Sequence, residues 1–528
     1  MIELTATARD RRTGRIYLET FGCQMNELDS ELVQGHLSAI GYEFIDDAKA
    51  ADIILYNTCS VRQQAENKVL SRLGLIAIEK AAGRHVVVGV LGCMAEREGA
   101  GMIRKYPQID VLCGPGELDR LPMLLDNAWQ NEAQSAHDRI ALQGNRTRRS
   151  ATLSAAADHL EYLDRSRAFD PDHAEAGGRS AYVRITRGCN KFCTYCVVPH
   201  TRGGEVHRPP DMIVEECQRL AQQGVIEVTL LGQTVNHYIY VHGAAIGADG
   251  QEAAQVGPGL GAFRKTGDRF GGKRVTTFAQ LLQRIHEEVP EIKRLRFVTS
   301  YPRDFGDDVL QVIADSPRIC RYLHVPAQSG SNRMLKLMNR GYTIEEYLAF
   351  IDRVKTFLPD AGIAGDLICG FPTESDEDHE ATRQLILAVP FKNNFVFKYS
   401  PRPGTVAIDR FPDDIPDEVK RWRVNDLLDL QSEVSERVHG ELVGQEVDVF
   451  VEKISRETPR RDGQVEVRMV PATVQVSGRT GGDLITVFDV PQGTTPTSLI
   501  GNVVPVVVTS AAARLLRGRL ATPAGAIA

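Results

Sequence analysis

The sequence predicts an α/β protein in three parts: an N-terminal parallel-sheet domain, a central whole or partial βα barrel, and a small C-terminal β-barrel. Three observations predict it. From Arg15 onward, short and almost wholly apolar runs alternate with helix-length segments, the pattern of strands buried on both faces. A second, longer series of the same kind runs from Ala181 to about Gly440. From Glu441 the texture changes to short, closely spaced apolar runs.

The elements follow in order. Residues 1–14 read as a charged tail. Residues 16–18, 52–56 and 86–91 are the strand candidates of the first part, which spans 15–149. Residues 150–180 are polar and alanine-rich, and read as an inter-domain linker. Strand candidates of the central part, 181–440, are 182–185, 225–231, 295–299, 322–325, 363–368 and 394–399, which fits repeated βα units. Residues 241–274 hold nine glycines; a stretch of that length is expected to be a mobile surface insertion or an active-site cover. Within 441–510, residues 447–451, 472–476, 484–488 and 503–508 suit a small barrel, which leaves 511–528 as a tail.

Composition narrows the function classes. The 528 residues are 42% apolar and 25% charged, which excludes disordered and collagen-like chains. A formal charge of −7 gives no global basic signature, so any nucleic-acid contact must be a local patch. The N-terminus lacks the apolar core of a secretory signal, and no run approaches the ~18 apolar residues of a membrane span. A cytoplasmic protein without membrane attachment is expected. Disulfides are rare there, so ten cysteines direct attention to metal binding or catalysis.

The strongest signal is Cys189-Asn190-Lys191-Phe192-Cys193-Thr194-Tyr195-Cys196, the spacing CxxxCxxC. Three thiolates this close can hold three irons of one [4Fe–4S] cluster and leave the fourth iron open. A zinc site would supply four protein ligands, most often as two CxxC pairs. The triplet follows the strand candidate 182–185, and catalytic groups of βα barrels sit at strand C-terminal ends.

Cys23, Cys59 and Cys93 form a second constellation. They stand 36 and 34 residues apart, yet each ends a candidate parallel strand, and such ends converge on one crevice. Gly22 and Gly92 would allow close backbone approach. Two readings stay open on these grounds: a second three-cysteine cluster site, or buried strand-end cysteines. The other cysteines, Cys113, Cys217, Cys320 and Cys369, have no partner at ligand spacing and read as small buried fillers.

The CxxxCxxC word with Tyr195 before its last cysteine resembles the radical S-adenosylmethionine superfamily. More specifically, Thr20-Phe21-Gly22-Cys23-Gln24-Met25-Asn26, Asn57-Thr58-Cys59-Ser60-Val61-Arg62 and Leu91-Gly92-Cys93-Met94-Ala95 resemble the N-terminal domain of the radical-SAM methylthiotransferases. Residues 188–208 (GCNKFCTYCVVPHTRGGEVHR), 231–236 (LGQTVN), 324–330 (HVPAQSG), 366–373 (DLICGFPT) and 399–405 (YSPRPGT) continue the likeness. The C-terminal barrel is similar to a TRAM domain, including Val476-Ser477-Gly478-Arg479-Thr480. The likeness covers roughly residues 15–520. Three segments look expanded beside the family pattern: 150–180, 241–274 and 456–471.

The resemblance implies two [4Fe–4S] clusters and S-adenosylmethionine. The cluster of Cys189, Cys193 and Cys196 would generate a 5′-deoxyadenosyl radical. That of Cys23, Cys59 and Cys93 would hold the sulfur to be inserted, and a second S-adenosylmethionine would methylate it. Tyr195, Gly203, Gly204, Glu205 and Asp366 are candidate neighbours of S-adenosylmethionine, though Asp366 reads equally as a strand-end carboxylate. Arg202 and Arg208 could pair bidentately with a carboxylate or phosphate, or be solvated loop arginines. The implied substrate is carbon 2 of N6-isopentenyl-adenosine 37 in a tRNA anticodon loop. Alternatives are threonylcarbamoyl-adenosine in tRNA, a ribosomal protein aspartate or, in a different class, a non-catalytic Fe–S RNA-binding module. An external one-electron donor and a sulfur source are the other implied partners. Residues 441–528 carry nine basic and nine acidic residues, weak support for phosphate binding. Lys453, Arg479, Arg514, Arg517 and Arg519 are the candidate RNA contacts there; Phe450 and Phe488, the aromatics of this part, read as stacking residues or core.

Overall fold

The computed structural model describes residues 14–60, 63–129, 138–143, 163–164, 167, 175–247, 250–257, 272–298, 300–455, 474–491 and 493–521. They fall into two compact units. One is built from the described residues up to 169 together with Val197–Gly204; the other holds the remainder.

The first unit is a six-stranded sheet of β1 (Arg15–Phe21), β2 (Glu43–Phe44), β3 (Ile53–Thr58), β4 (Val87–Leu91), β5 (Val111–Cys113) and β6 (Ile140–Ala141), ordered β2-β1-β3-β4-β5-β6. All pairings are parallel. Every residue of β3 is buried, as a central parallel strand covered on both faces requires. Helices α1 (Gln24–Ala39) and α2 (Gln63–Ala81) make the first crossovers, and α3 (Cys93–Glu98) follows β4. The order reverses between β1 and β3, so the C-terminal ends of those two strands flank the switch point where such sheets bind ligands.

The second unit contains β7 (Ser180–Arg184), β8 (Thr186–Arg187), β9 (Val206–His207), β10 (Glu227–Leu231), β11 (Ile239–Val241), β12 (Gln255–Val256), β13 (Val275–Thr277), β14 (Arg294–Phe297), β15 (Tyr322–His324), β16 (Gly362–Cys369) and β17 (Phe391–Lys398). β14-β10-β7 and β15-β16-β17 are parallel sheets. They meet edge to edge where Leu295 N–H donates to the Arg318 carbonyl and Cys320 N–H to the Leu295 carbonyl. Six parallel strands in chain order, left open between β7 and β17, make a partial βα barrel. Three of its helices begin where the sequence supplies reciprocal caps. Thr277 with Gln280, Thr343 with Glu346 and Ser375 with Asp378 close reciprocal capping boxes, satisfying donors that a helix start leaves unpaired.

The C-terminal strands β18 (Glu446–Ser455), β19 (Gln475–Thr480), β20 (Ile485–Asp489), β21 (Val503–Ala512) and β22 (Leu515–Leu520) close a barrel in the order β18-β19-β20-β22-β21. Val449, Val451, Val476, Phe488, Val504 and Val506 fill it, each contributing about 1.5–3 kcal/mol by full burial. The barrel and the βα half-ring belong to one unit. Asp483, in the β19–β20 turn, is one link between them: it pairs with Arg296 on β14 and, at 2.8 Å, with Lys392 on β17.

Three expectations change. Residues 511–521 are not a tail: β21 runs on to Ala512 and β22 closes the barrel, because an open fifth edge would leave its backbone unpaired. The glycine-rich stretch is partly built, since β12 within it pairs antiparallel with β9. The supposed linker ends in the helical turn Glu175–Gly178 and the first residue of β7. Residues 248–249, 258–271 and 456–473 and most of 150–174 lie outside the described residues.

Candidate functional site

In the first unit the three cysteines stand at the switch point. Cys23 follows β1 and precedes the first turn of α1, Cys59 follows β3, and Cys93 opens α3 after β4. The Cys23 and Cys59 thiols hydrogen-bond one another. That bond and the Arg202 cation, working against burial, bring the Cys23 thiol down to about 6, so its thiolate form is favoured at neutral pH. Burial pushes the Cys93 thiol up, although Arg202 opposes this. Arg202 Nε donates to Cys93 Sγ at 3.2 Å while its Nη2 donates to Asp29 Oδ2 at 2.6 Å, all of it buried.

Backbone chemistry sets this geometry. Gly22 has φ +138°, and a Cβ there would lie 2.3 Å from Cys59 Cβ. Gly92 has φ +85°, and its Cβ would lie 2.3 Å from Asn57 Oδ1. Asn26 Nδ2 donates to Asn57 Oδ1 at 2.9 Å, and Asn57 Nδ2 returns a bond to the Asn26 carbonyl at 2.8 Å. This buried amide pair clamps the β1 and β3 loops together. Three unbridged thiols beside one cation fit an Fe–S cluster bound by three protein ligands.

In the second unit Cys189, Cys193 and Cys196 lie on one loop after β8. Phe192 between them adopts φ +51°, a conformation uncommon outside glycine, and Asn339 Nδ2 holds its carbonyl at 2.8 Å. Burial raises the Cys189 thiol to about 12, while Lys191 N–H donates to its sulfur at 3.5 Å. Arg340 Nη1 donates to Cys193 Sγ at 3.3 Å and Nη2 to the Pro326 carbonyl at 3.1 Å. Its guanidinium lies over the Tyr301 ring at 4.6 Å, which orients it toward the thiol. Tyr195 packs against the cluster of Met334, Met338, Phe371 and Tyr399. Asp366 on β16 faces His324 on β15, Nε2 to Oδ1 at 3.3 Å. These three thiols and one cation again suit a cluster with an open iron.

The other expected residues have varied places. Gly203 (φ +73°) and Gly204 belong to the first unit. Glu205 is buried, and its carboxylate is turned onto His237 Nδ1 at 2.6 and 2.7 Å, with His207 Nε2 3.2 Å away. Burial alone would raise it, but the two histidines beside it hold it at about 2. Arg208 is no surface arginine: it donates to Glu216 Oε2 at 2.7 Å in the interior. Arg479 pairs with Glu452 at 3.0 Å and Asp483 at 3.1 Å, which commits it to the barrel. Lys453, Arg514, Arg517 and Arg519 are exposed, and Phe450 and Phe488 are buried core. Cys113, Cys217, Cys320 and Cys369 are buried.

Sequence reasoning missed Arg340, Asp29, His207 and His237. Arg340 and Asp29 carry no local signal, since Arg340 meets Cys193 and Asp29 meets Arg202 from far along the chain. Glu205-x-His207 had one, because alternate residues of an extended chain share a face.

Comparison with known proteins agrees with the geometry. Residues 15–114 match the uncharacterized protein family UPF0004, and residues 183–386 match the radical SAM superfamily. The tRNA-2-methylthio-N(6)-dimethylallyladenosine synthase of Rhodopirellula baltica is 40% identical over 90% of this chain and 90% of its own length. That of Moorella thermoacetica is 38% identical over 97% of this chain and 98% of its own. A solved radical S-adenosylmethionine methyltransferase from Kitasatospora setae shares the fold at a TM-score of 0.50 and 15% identity, over 74% of this chain and 73% of that one. With two cysteine triplets, each beside an arginine, and relatives matching along nearly its whole length, this chain belongs to the tRNA-2-methylthio-N(6)-dimethylallyladenosine synthase family of radical-SAM methylthiotransferases.

Proposed function

We propose that this chain inserts sulfur at carbon 2 of N6-isopentenyl-adenosine 37 in the anticodon loop of tRNA and methylates it, working in the cytoplasm. One observation carries the reading beyond family membership. Cysteines 36 and 34 residues apart close on the switch point of one sheet, while a separate loop supplies a second triplet. Radical generation and sulfur delivery need separate sites, and two separate cysteine triplets support that reading. When bound, a [4Fe–4S] cluster at Cys189, Cys193 and Cys196 supplies the one-electron chemistry on S-adenosylmethionine, and a second at Cys23, Cys59 and Cys93 supplies the sulfur.

The protein's own residues set the conditions. Arg340 offsets thiolate charge at Cys193, and Arg202 does so at Cys93, each in a water-poor site where such a bond is strong. The His324–Asp366 pair fixes a carboxylate on β16, where it can accept bonds from a bound cofactor. Within the second unit, Tyr195, Asp366 and the Glu205 backbone are the proposed S-adenosylmethionine neighbours. An external one-electron donor and a sulfur source complete the cycle.

Nucleoside mass spectrometry of tRNA from cells lacking the gene, with and without its restoration, tests the proposal. Isopentenyl-adenosine should accumulate, and its 2-methylthio form should return on complementation. If that nucleoside is unchanged, the substrate assignment is wrong, and threonylcarbamoyl-adenosine and ribosomal protein aspartate become the substrates to assay.

A further inference from the structure

Glu205, His207 and His237 form a closed polar cluster in the second unit that the reaction above does not use as such. They are 2%, 0% and 0% exposed, and one ligand atom from each lies within 4.8 Å of the others. Strand β9 delivers His207, a short helical turn at Val235–His237 delivers His237, and Glu205 precedes β9. Strand β12 of the glycine-rich insertion covers His207 from the other side, with Gln255 in register opposite it.

The cluster is chemically incomplete as a hydrogen-bonded network. His207 Nδ1 is held by the Ile239 backbone, 2.9 Å from its carbonyl and 3.0 Å from its N–H, which fixes the ring with Nε2 toward Glu205. That buried Nε2 makes no hydrogen bond, although Glu205 Oε1 is 3.2 Å away. Among the described residues no lysine or arginine pairs with Glu205, so the buried carboxylate lacks the full positive charge that burial demands.

The space beside Nε2 is kept open by a missing side chain. A Cβ on Gly257 would lie 2.8 Å from His207 Nε2 and 3.1 Å from Glu205 Cγ. Gly257 N–H donates to the Glu205 carbonyl at 2.9 Å, which holds the insertion at this distance. Two imidazoles and one carboxylate are a donor set for a borderline transition-metal ion rather than for magnesium or calcium.

We infer that Glu205, His207 and His237 bind one Zn²⁺ ion, which ties the β9 segment that follows the CxxxCxxC loop to the helical turn Val235–His237. The ion enters by displacing the direct Glu205–His237 hydrogen bond, because ligands of a tetrahedral zinc stand about 3.4 Å apart at Zn–N and Zn–O lengths of ~2.0–2.2 Å. The fourth position is left to water.

The test is metal analysis of the full-length protein with its iron loaded anaerobically, in buffer treated to remove free metal. About one zinc per chain is expected. Zinc-edge X-ray absorption should give only nitrogen and oxygen neighbours at ~2.0–2.1 Å. His207→Ala with His237→Ala should lower zinc at least tenfold and leave iron unchanged. Gly257→Ala, which keeps all three ligands, should lower zinc in a chain whose circular dichroism and iron content match the parent. Absence of zinc from the parent protein, iron in its place, or a sulfur neighbour at ~2.3 Å marking zinc in a cysteine site would each overturn the assignment.

Discussion

Arg202 joins Cys93 to Asp29: Nε lies 3.2 Å from the Cys93 sulfur and Nη2 lies 2.6 Å from Asp29 Oδ2. The guanidinium therefore answers two negative groups at once in a buried place. Replacing it by methionine leaves Asp29 an uncompensated buried charge, which costs roughly 3–5 kcal/mol. Arg202→Met should show that loss in a denaturant titration, and adding Asp29→Asn should recover most of it. With the fold restored in the double variant, the first unit's cluster should be harder to reduce. A redox titration followed by electron paramagnetic resonance reads this as a more negative midpoint.

Iron content separates the two triplets. The loaded chain should bind about eight irons, and replacing Cys189, Cys193 and Cys196 together by alanine should leave about four. Gly22→Ala attacks the other site without removing a ligand, because its new Cβ would lie 2.3 Å from Cys59 Cβ at a φ that alanine resists. It too should leave about four, with the S-adenosylmethionine-dependent signal of the second triplet retained.

Asp378 gives a pH prediction. Burial alone would raise its carboxyl, but bonds from Arg333, Ser331 and Ser375 bring it down to about 2. A folded value below the unfolded 3.8 means its stabilisation is complete above that value. It is lost as pH falls toward 2. Asp378→Asn should therefore cost about 1–3 kcal/mol at pH 7, and the difference from the parent should shrink between pH 4 and 2 on the scale of that shift. Thermal melts across this range check it.

Arg517 and Arg519 share the outward face of β22, two residues apart on one strand. If both meet tRNA phosphates, replacing both by alanine should weaken binding to cognate and non-cognate tRNA alike. The slope of log affinity against log salt should also flatten, by about 1.4–1.8. Filter binding at several salt concentrations measures it. Arg479→Ala should instead lower stability, since Arg479 is spent on Glu452 and Asp483.

The strands were legible because burial on both faces writes itself as uninterrupted apolar runs. Residues 52–56 and 86–91 became β3 and β4 almost residue for residue. The convergence of Cys23, Cys59 and Cys93 was legible for the same reason, since parallel strand ends have to meet. β22 was not: Leu515-Leu516-Arg517-Gly518-Arg519-Leu520 alternates weakly, and its place depends on the edge of β20 as well as on its neighbour β21. Arg340 and His237 escaped because tertiary contacts with Cys193 and Glu205 leave no periodic trace in sequence.

Because Val197–Gly204 belongs with residues far upstream, the polypeptide enters the first unit twice. No single cut can liberate that unit whole: a fragment ending at 169 would carry all three of its cysteines and lack the guanidinium that balances them. Exchange of this module between related enzymes would have to transplant two separate stretches together.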